Sequence, residues 1–320
     1  MNAVRTEEER QDSMNAVRTE GKRQDSMNAV RTEKKAGCVG TAFMLFEKED
    51  SDIERRKKVY NIGFPNLNLY FNINPVAFSI GNVSVYWYGI FIAFAVLLGL
   101  LLARKDSGKF GVYYNDVEEF ILWAIPVSVI FARLYYVIFS WEAYRSQPLK
   151  IFAVWEGGLA IYGGIIGAVL TALVYCKVKK IKLWDLLDYC VPYLALGQCI
   201  GRWGNFTNRE AYGFETDSFF RMELLQGNGE YLSVHPTFFY ESVGMLLIFL
   251  LLSFSGRKFS GEKTAMYFLC YGILRAVVEW FRADSLLLNG WKVSMVLSIV
   301  LSVISLIVLV KNRRKKEPAQ

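Results

Sequence analysis

Within nine residues, Arg202, Asn205, Asn208 and Glu210 assemble a guanidinium, two carboxamides and a carboxylate, in the segment GRWGNFTNREAYG from Gly201 to Gly213. If its first part is helical, Arg202, Asn205 and Asn208 recur at i, i+3 and i+6 and lie along roughly one face. Gly201, Gly204 and Gly213 allow tight backbone turns there. A polar cap on a loop is the competing reading of the same pattern. A second constellation lies downstream, where Tyr271, Arg275, Glu279 and Arg282, spaced 4, 4 and 3 apart, form one stripe on a helix. That stripe has two readings: an Arg275–Glu279 ion pair that only fixes packing, or a site for an anionic group. Arginines suit phosphate because the guanidinium offers forked donors and keeps its charge when partly desolvated. His235, the only histidine, and Glu241 open a further apolar run, and Arg133 lies inside another.

These polar residues sit in a chain that is otherwise built for lipid. Of 320 residues, 53% are hydrophobic and 15% aromatic, and the mean hydropathy is +0.23. Apolar runs near the length needed to cross a bilayer recur at 86–103, 117–139, 158–176, 183–200, 238–254, 265–281 and 293–310. The expected fold is an all-α polytopic membrane bundle of about seven transmembrane helices, with an extracytoplasmic segment between spans four and five. Span four is the least regular, since Asp185, Asp188, Pro192 and Gly197 also fit an interfacial or re-entrant piece. A charge at mid-bilayer costs about 2.5 to 3.5 kcal/mol on insertion scales, so each such residue needs a partner or a purpose.

Lys and Arg concentrate after spans one, three, five and seven, which places the amino end outside and the carboxyl end in the cytoplasm. Arg202, His235, Glu241 and Arg282 then fall at outer span ends and converge near the outer leaflet, where a phospholipid headgroup is the available phosphate. The net charge of +7 lies in short clusters between apolar runs rather than on one soluble face, so no nucleic-acid partner is expected. Gly163 and Gly167, with Ala160, Gly164 and Ala168 nearby, set small residues every fourth position in span three. They allow either tight helix packing or approach of a lipid headgroup. The five cysteines show no metal-ligand spacing and read as small hydrophobes.

The amino terminus is different in kind. MNAVRTEEERQDS, MNAVRTEGKRQDS and MNAVRTEKKAG repeat with a period of 13, and each unit holds too few apolar residues to offset the entropy of ordering. Residues 1–62 are expected to be a disordered, repeat-derived extension, 63–312 the membrane body and 313–320 a basic cytoplasmic tail. Lys34 and Lys35 stand where an apolar stretch would have to precede Cys38, so the extension is not a signal peptide.

GRWGNFTNREAYG resembles the signature of prolipoprotein diacylglyceryl transferases. The resemblance covers roughly 66–312 and takes in NPVAFSIG, the WYG at Trp87, GGLAIYGGIIG, HPTFFYE from His235, and YGILR with VEWFR around Arg275. It implies transfer of a diacylglyceryl group from phosphatidylglycerol to the lipobox cysteine of a prolipoprotein at the bacterial plasma membrane, with no cofactor. By the same resemblance, Arg202 and Arg275 bind the phosphate and polarise the leaving group. Asn205, Asn208 and Glu210 position it, Tyr88 lines the site and Glu279 orients Arg275. Tyr162 stands where some members carry a histidine proposed as the base. A tyrosine with a reference pKa near 10 is a poor base, so Tyr162, His235 and the arginine field are all open as means of activating the thiol. A transporter or a receptor with a structural arginine network are the competing classes; no inverted repeat supports the first.

Overall fold

Seven long helices run through the part of the chain that a computed structural model describes, which is residues 59–81, 83–283, 287–288 and 291–314. The three amino-terminal repeats, Cys38 and residues 315–320 of the basic tail lie outside it. The helices are α1 Trp87–Ala103, α2 Tyr114–Phe139, α3 Ile161–Lys179, α4 Leu183–Asn208, α5 Thr237–Phe254, α6 Glu262–Phe281 and α7 Val293–Arg314. Five of them, α1, α2, α3, α5 and α7, are long and apolar enough to cross a membrane by length and composition. The other two, α4 and α6, carry Asp185, Asp188 and Arg202, and Glu262, Lys263, Arg275 and Glu279. Their 26 and 20 residues correspond to about 39 and 30 Å of helix, enough for a hydrocarbon core of about 30 Å. The polytopic helical membrane fold is therefore present.

On α1 and along the α2–α3 seam small residues make the contacts, as expected where lipid is as apolar as leucine. On α1 only Ala95, Gly99 and Ala103 are buried, and Gly99 lies against Tyr193 of α4. On α3, Gly163 and Gly167 face α2: a Cβ on Gly163 would meet Tyr135 Cβ at 2.6 Å, and one on Gly167 would meet Ser128 Cα at 2.9 Å. The small-residue stripe of span three is thus a helix seam. At one end of the bundle α1, α2, α3 and α4 share a cluster around Ala103, Phe120, Tyr175 and Leu186. Towards the other end α3 buries only its two seam glycines, and Tyr162, Ile165 and Ile166 stay exposed.

Span four is one continuous helix despite Pro192. Its buried Asp188 accepts hydrogen bonds from Gly261 N, Thr264 N and Thr264 Oγ1 at 2.8, 2.8 and 2.7 Å, and from Arg257 Nη1 at 3.1 Å. Asp185 lies 2.8 Å from the same guanidinium. The two aspartates that made the segment irregular thus fasten the start of α6 and are fully compensated. Pairing of α6 with α7 is also close, with Gly272 against Ser298 and Ser302.

Strands complete the other end. β1 Ile62–Phe64, β2 Leu69–Phe71, β5 Met222–Leu225 and β6 Tyr231–Val234 form an antiparallel sheet in the order β2-β1-β5-β6, with Ile62 opposite Leu224, and the hairpin β3 Val76–Ile80 with β4 Val83–Tyr86 leads into α1. Two short strands, β7 Leu287–Leu288 and β8 Trp291–Lys292, pair before α7. Ile62, Met222, Leu224 and Val234 pack with Phe206 and Phe238 over the carboxyl end of α4. Ladder pairing thus begins at Ile62, the last residue assigned to the extension. The sheet also ties the segment before α1 to the segment between α4 and α5, which places both on the same side of the four intervening helices.

Candidate functional site

The sheet-covered end collects the polar residues. Arg202 and Asn205 stand on the last turns of α4, which stops where Arg209 adopts the left-handed conformation at φ 54°. Glu241 stands one turn into α5, Arg275 and Glu279 on the last two turns of α6, and Tyr88 at the start of α1. The α4 face also carries Gln198, one turn before Arg202, whose Oε1 accepts from Tyr267 Oη at 2.8 Å.

Charges alternate along the cluster. Glu241 Oε1 pairs with Arg202 Nη2, and Glu241 Oε2 lies 3.3 Å from Arg275 Nη1. Arg275 Nη2 lies 2.6 Å from Glu279 Oε2, whose other oxygen accepts from Ser294 Oγ of α7 at 2.6 Å. Both carboxylates are almost fully buried, at 2% and 1% exposure, whereas the arginines keep 22% and 14% of their side-chain surface open. Buried ions of one sign are tolerated only beside the other sign, so the four residues stand or fall together. The guanidiniums are its accessible part.

Around Arg202 the motif folds back on itself. Arg202 Nη1 donates to Asn205 Oδ1 at 3.4 Å, and Asn205 Nδ2 and Asn208 Nδ2 donate to Glu210 Oε1 at 2.9 and 3.3 Å. Asn208 Oδ1 and Arg209 Nε are buried without a hydrogen-bond partner among the described residues. Gly204 is in contact with the Tyr88 ring, and any Cβ there would enter it. That close approach is the reason for glycine at this place in the motif. Sequence spacing placed Arg202, Asn205 and Asn208 on one face, and the geometry brings Glu210, Tyr88, Arg275 and Glu279 to them.

Two residues stand apart. Tyr162, at the first turn of α3, is 57% exposed and packs its ring 6.3 Å from that of Tyr135 on α2. His235 sits on the junction between the segment that links α4 to α5 and the helix ends. Its carbonyl accepts from Gly213 N at 2.9 Å, its Nδ1 lies 3.3 Å from Tyr240 Oη, and its ring lies 5.0 Å from that of Phe281. Burial holds its imidazole below the ordinary histidine range, which favours the neutral ring. These contacts brace the start of α5 against the end of α6. Arg133 is likewise structural, donating to the carbonyls of Lys150, Ile151, Gly157 and Gly158. No group of three or more potential metal ligands occurs among the described residues.

Spacing could not show that Glu241 joins the two arginines, because its partners lie 39 residues before it and 34 after it. The available signal was its type: a carboxylate one turn into an apolar helix needs a cation nearby.

Comparison with known proteins points to one family. The family model described as Prolipoprotein diacylglyceryl transferase matches residues 75–311. A phosphatidylglycerol--prolipoprotein diacylglyceryl transferase of Finegoldia magna is 43% identical over 246 residues, covering 76% of this chain and 97% of that protein. Proteins of the same description from Listeria monocytogenes and Bacillus cytotoxicus are 41% and 42% identical over 257 residues, covering 77% and 76% of this chain and 92% and 93% of theirs.

Proposed function

The chain belongs to the prolipoprotein diacylglyceryl transferase family, and from that premise we propose that it moves the diacylglyceryl group of phosphatidylglycerol onto the lipobox cysteine of prolipoproteins. The thiolate sulfur attacks the glyceryl carbon that bears the phosphate ester. A C–S bond forms as the C–O bond breaks, and the electron pair leaves on the phosphate oxygen, giving glycerol phosphate and a thioether. The released phosphate gains negative charge as it departs, so fixed cations at that place stabilise the transition state more than the ground state.

The observation that carries this reading is the meeting of Arg202 and Arg275, from two different helices, at one carboxylate and at one end of the bundle. In this reading the two guanidiniums hold the phosphate. Asn205, Asn208 and Glu210 fix its orientation, Glu279 aims Arg275, and Tyr88 closes the wall beside Gly204. Thiol activation falls to the arginine field, since a thiol near pKa 8.5 needs only modest help to ionise at neutral pH. His235 keeps a bracing role. Replacing Tyr162 by Phe is therefore expected to retain transfer within about tenfold, the lower end of what a general base contributes being about a hundredfold; a larger loss at unchanged stability assigns Tyr162 to the chemistry.

The same reading makes α4 and α6 full spans, for seven in all: strands paired across α1 to α4 call for an even number of crossings, which supports α4, and α6 runs from the partners of Asp188 at one end to Arg275 and Glu279 at the other, which supports α6. It sets the amino end and the site outside and the carboxyl end in the cytoplasm, with a transferase body that begins at Asn61, two residues earlier than the sequence suggests, and runs to 312, the residues before it as an extension and 313–320 as a tail. The direct test supplies the purified protein with phosphatidylglycerol labelled in its acyl chains and a lipobox peptide. A thioether-lipidated peptide is the expected product; its absence, where a known member of the family works, refutes the assignment.

A further inference from the structure

Glu241 occupies the position at which an anion between the two arginines would sit. One of its oxygens faces Arg202 and the other Arg275, and it is the carboxylate common to both. Arg275 has a second counter-charge in Glu279, which is itself held by Ser294; Arg202 is otherwise in contact with the neutral Asn205. Forked guanidinium donors accept carboxylate and phosphate oxygens alike. Two oxygens of a phosphate can therefore take the same arms that the two oxygens of Glu241 now hold.

Resting on the function proposed above, we propose that Glu241 is a positioning residue, an internal counter-anion that holds Arg202 and Arg275 side by side and yields their donors to the phosphate of the substrate. Without an anion between them, two like charges in a partly dry site separate. With Glu241 in place the site is formed before lipid arrives, and the incoming phosphate competes for nitrogens already in use. The carboxylate thus lowers the affinity for phosphate while preserving the geometry that uses it. An ordinary binding residue has the opposite effect, so the sign of the change on mutation separates the two roles.

The test uses the full chain in detergent as wild type, Glu241→Gln and Glu241→Asp, with glycerol phosphate as the probe. Calorimetry should show Glu241→Gln binding it about tenfold more tightly than wild type, the scale of one charged hydrogen bond no longer contested. The thermal midpoint of that variant should be low without anion and recover with glycerol phosphate by more than wild type gains. In turnover its kcat should fall as product leaves more slowly, while KM for phosphatidylglycerol does not rise. Glu241→Asp keeps the charge and should return towards wild-type affinity. Equal or weaker binding by Glu241→Gln, or a midpoint that glycerol phosphate does not restore, overturns the proposal. Failure of that variant to fold in any anion also overturns it, because phosphate then does not replace the carboxylate. Binding is read without catalysis: a wild type that binds but never transfers refutes the proposed function alone, and transfer with unchanged affinity in Glu241→Gln refutes the counter-anion alone.

Discussion

Arg275→Ala is expected to lower transfer by about a hundred- to a thousandfold, the cost of removing one preorganised donor from a developing oxyanion. Arg275 lies 2.6 Å from Glu279 and 3.3 Å from Glu241, so the alanine variant loses a cation and also leaves two buried carboxylates short of a partner. Arg202→Ala should cost as much, since Arg202 is the arginine that reaches Asn205 and, through it, Glu210. Arg275→Lys keeps a positive charge but not the fork that spans both carboxylates, and should fall between wild type and alanine. The assay is single-turnover lipidation of a lipobox peptide, with the thermal midpoint of each variant measured alongside. Wild-type rates in both alanine variants at normal stability would remove the arginines from the mechanism.

The second large effect is on stability and arises at the opposite end of the bundle. Asp188 is fully buried and accepts two backbone N–H groups, the Thr264 hydroxyl and the Arg257 guanidinium. Asp188→Ala strands the two N–H groups and the hydroxyl, leaves Arg257 with Asp185 alone, and should destabilise the protein by about 3–5 kcal/mol, the range found when one member of a buried ion pair is removed. Asp188→Asn keeps one acceptor oxygen, for Thr264 N and Oγ1, but turns its amide NH2 towards Gly261 N and Arg257, so it should recover only part of the loss. Unfolding midpoints of the detergent-solubilised variants check the order. The protein that remains folded should keep its transfer rate per molecule, because none of these contacts reaches Arg202 or Arg275.

The parts legible in the sequence are those set by local periodicity. Arg202, Asn205 and Asn208 were placed on one face by helical spacing alone, and the Arg275–Glu279 pair by its i, i+4 separation. The seam glycines of α3 could be read as packing or as a headgroup approach, and only the neighbouring α2 backbone settles which. What stayed hidden depends on distant partners. The short strands β1 and β5 carry too few residues to show an alternation, and they pair across some 160 positions. The aspartates of α4 argued against a plain span because Arg257 and Thr264, which neutralise and bond them, stand 69 and 76 residues away. Glu241 was visible as an out-of-place charge, but its double pairing was not.

That separation between Asp188 and its partners also bears on how the chain is made. When α4 leaves the ribosome, the loop and helix that satisfy Asp188 do not yet exist. At about 5–20 residues per second, 69 residues take about 3–14 s to synthesise. For that interval the helix is too polar to rest alone in hydrocarbon. Translocation machinery or an already inserted α1, which meets α4 through Gly99, must shelter it. Biogenesis of the transferase therefore has a vulnerable window that closes when the residues from Arg257 to Thr264 arrive, and slowing synthesis just ahead of them would lengthen it.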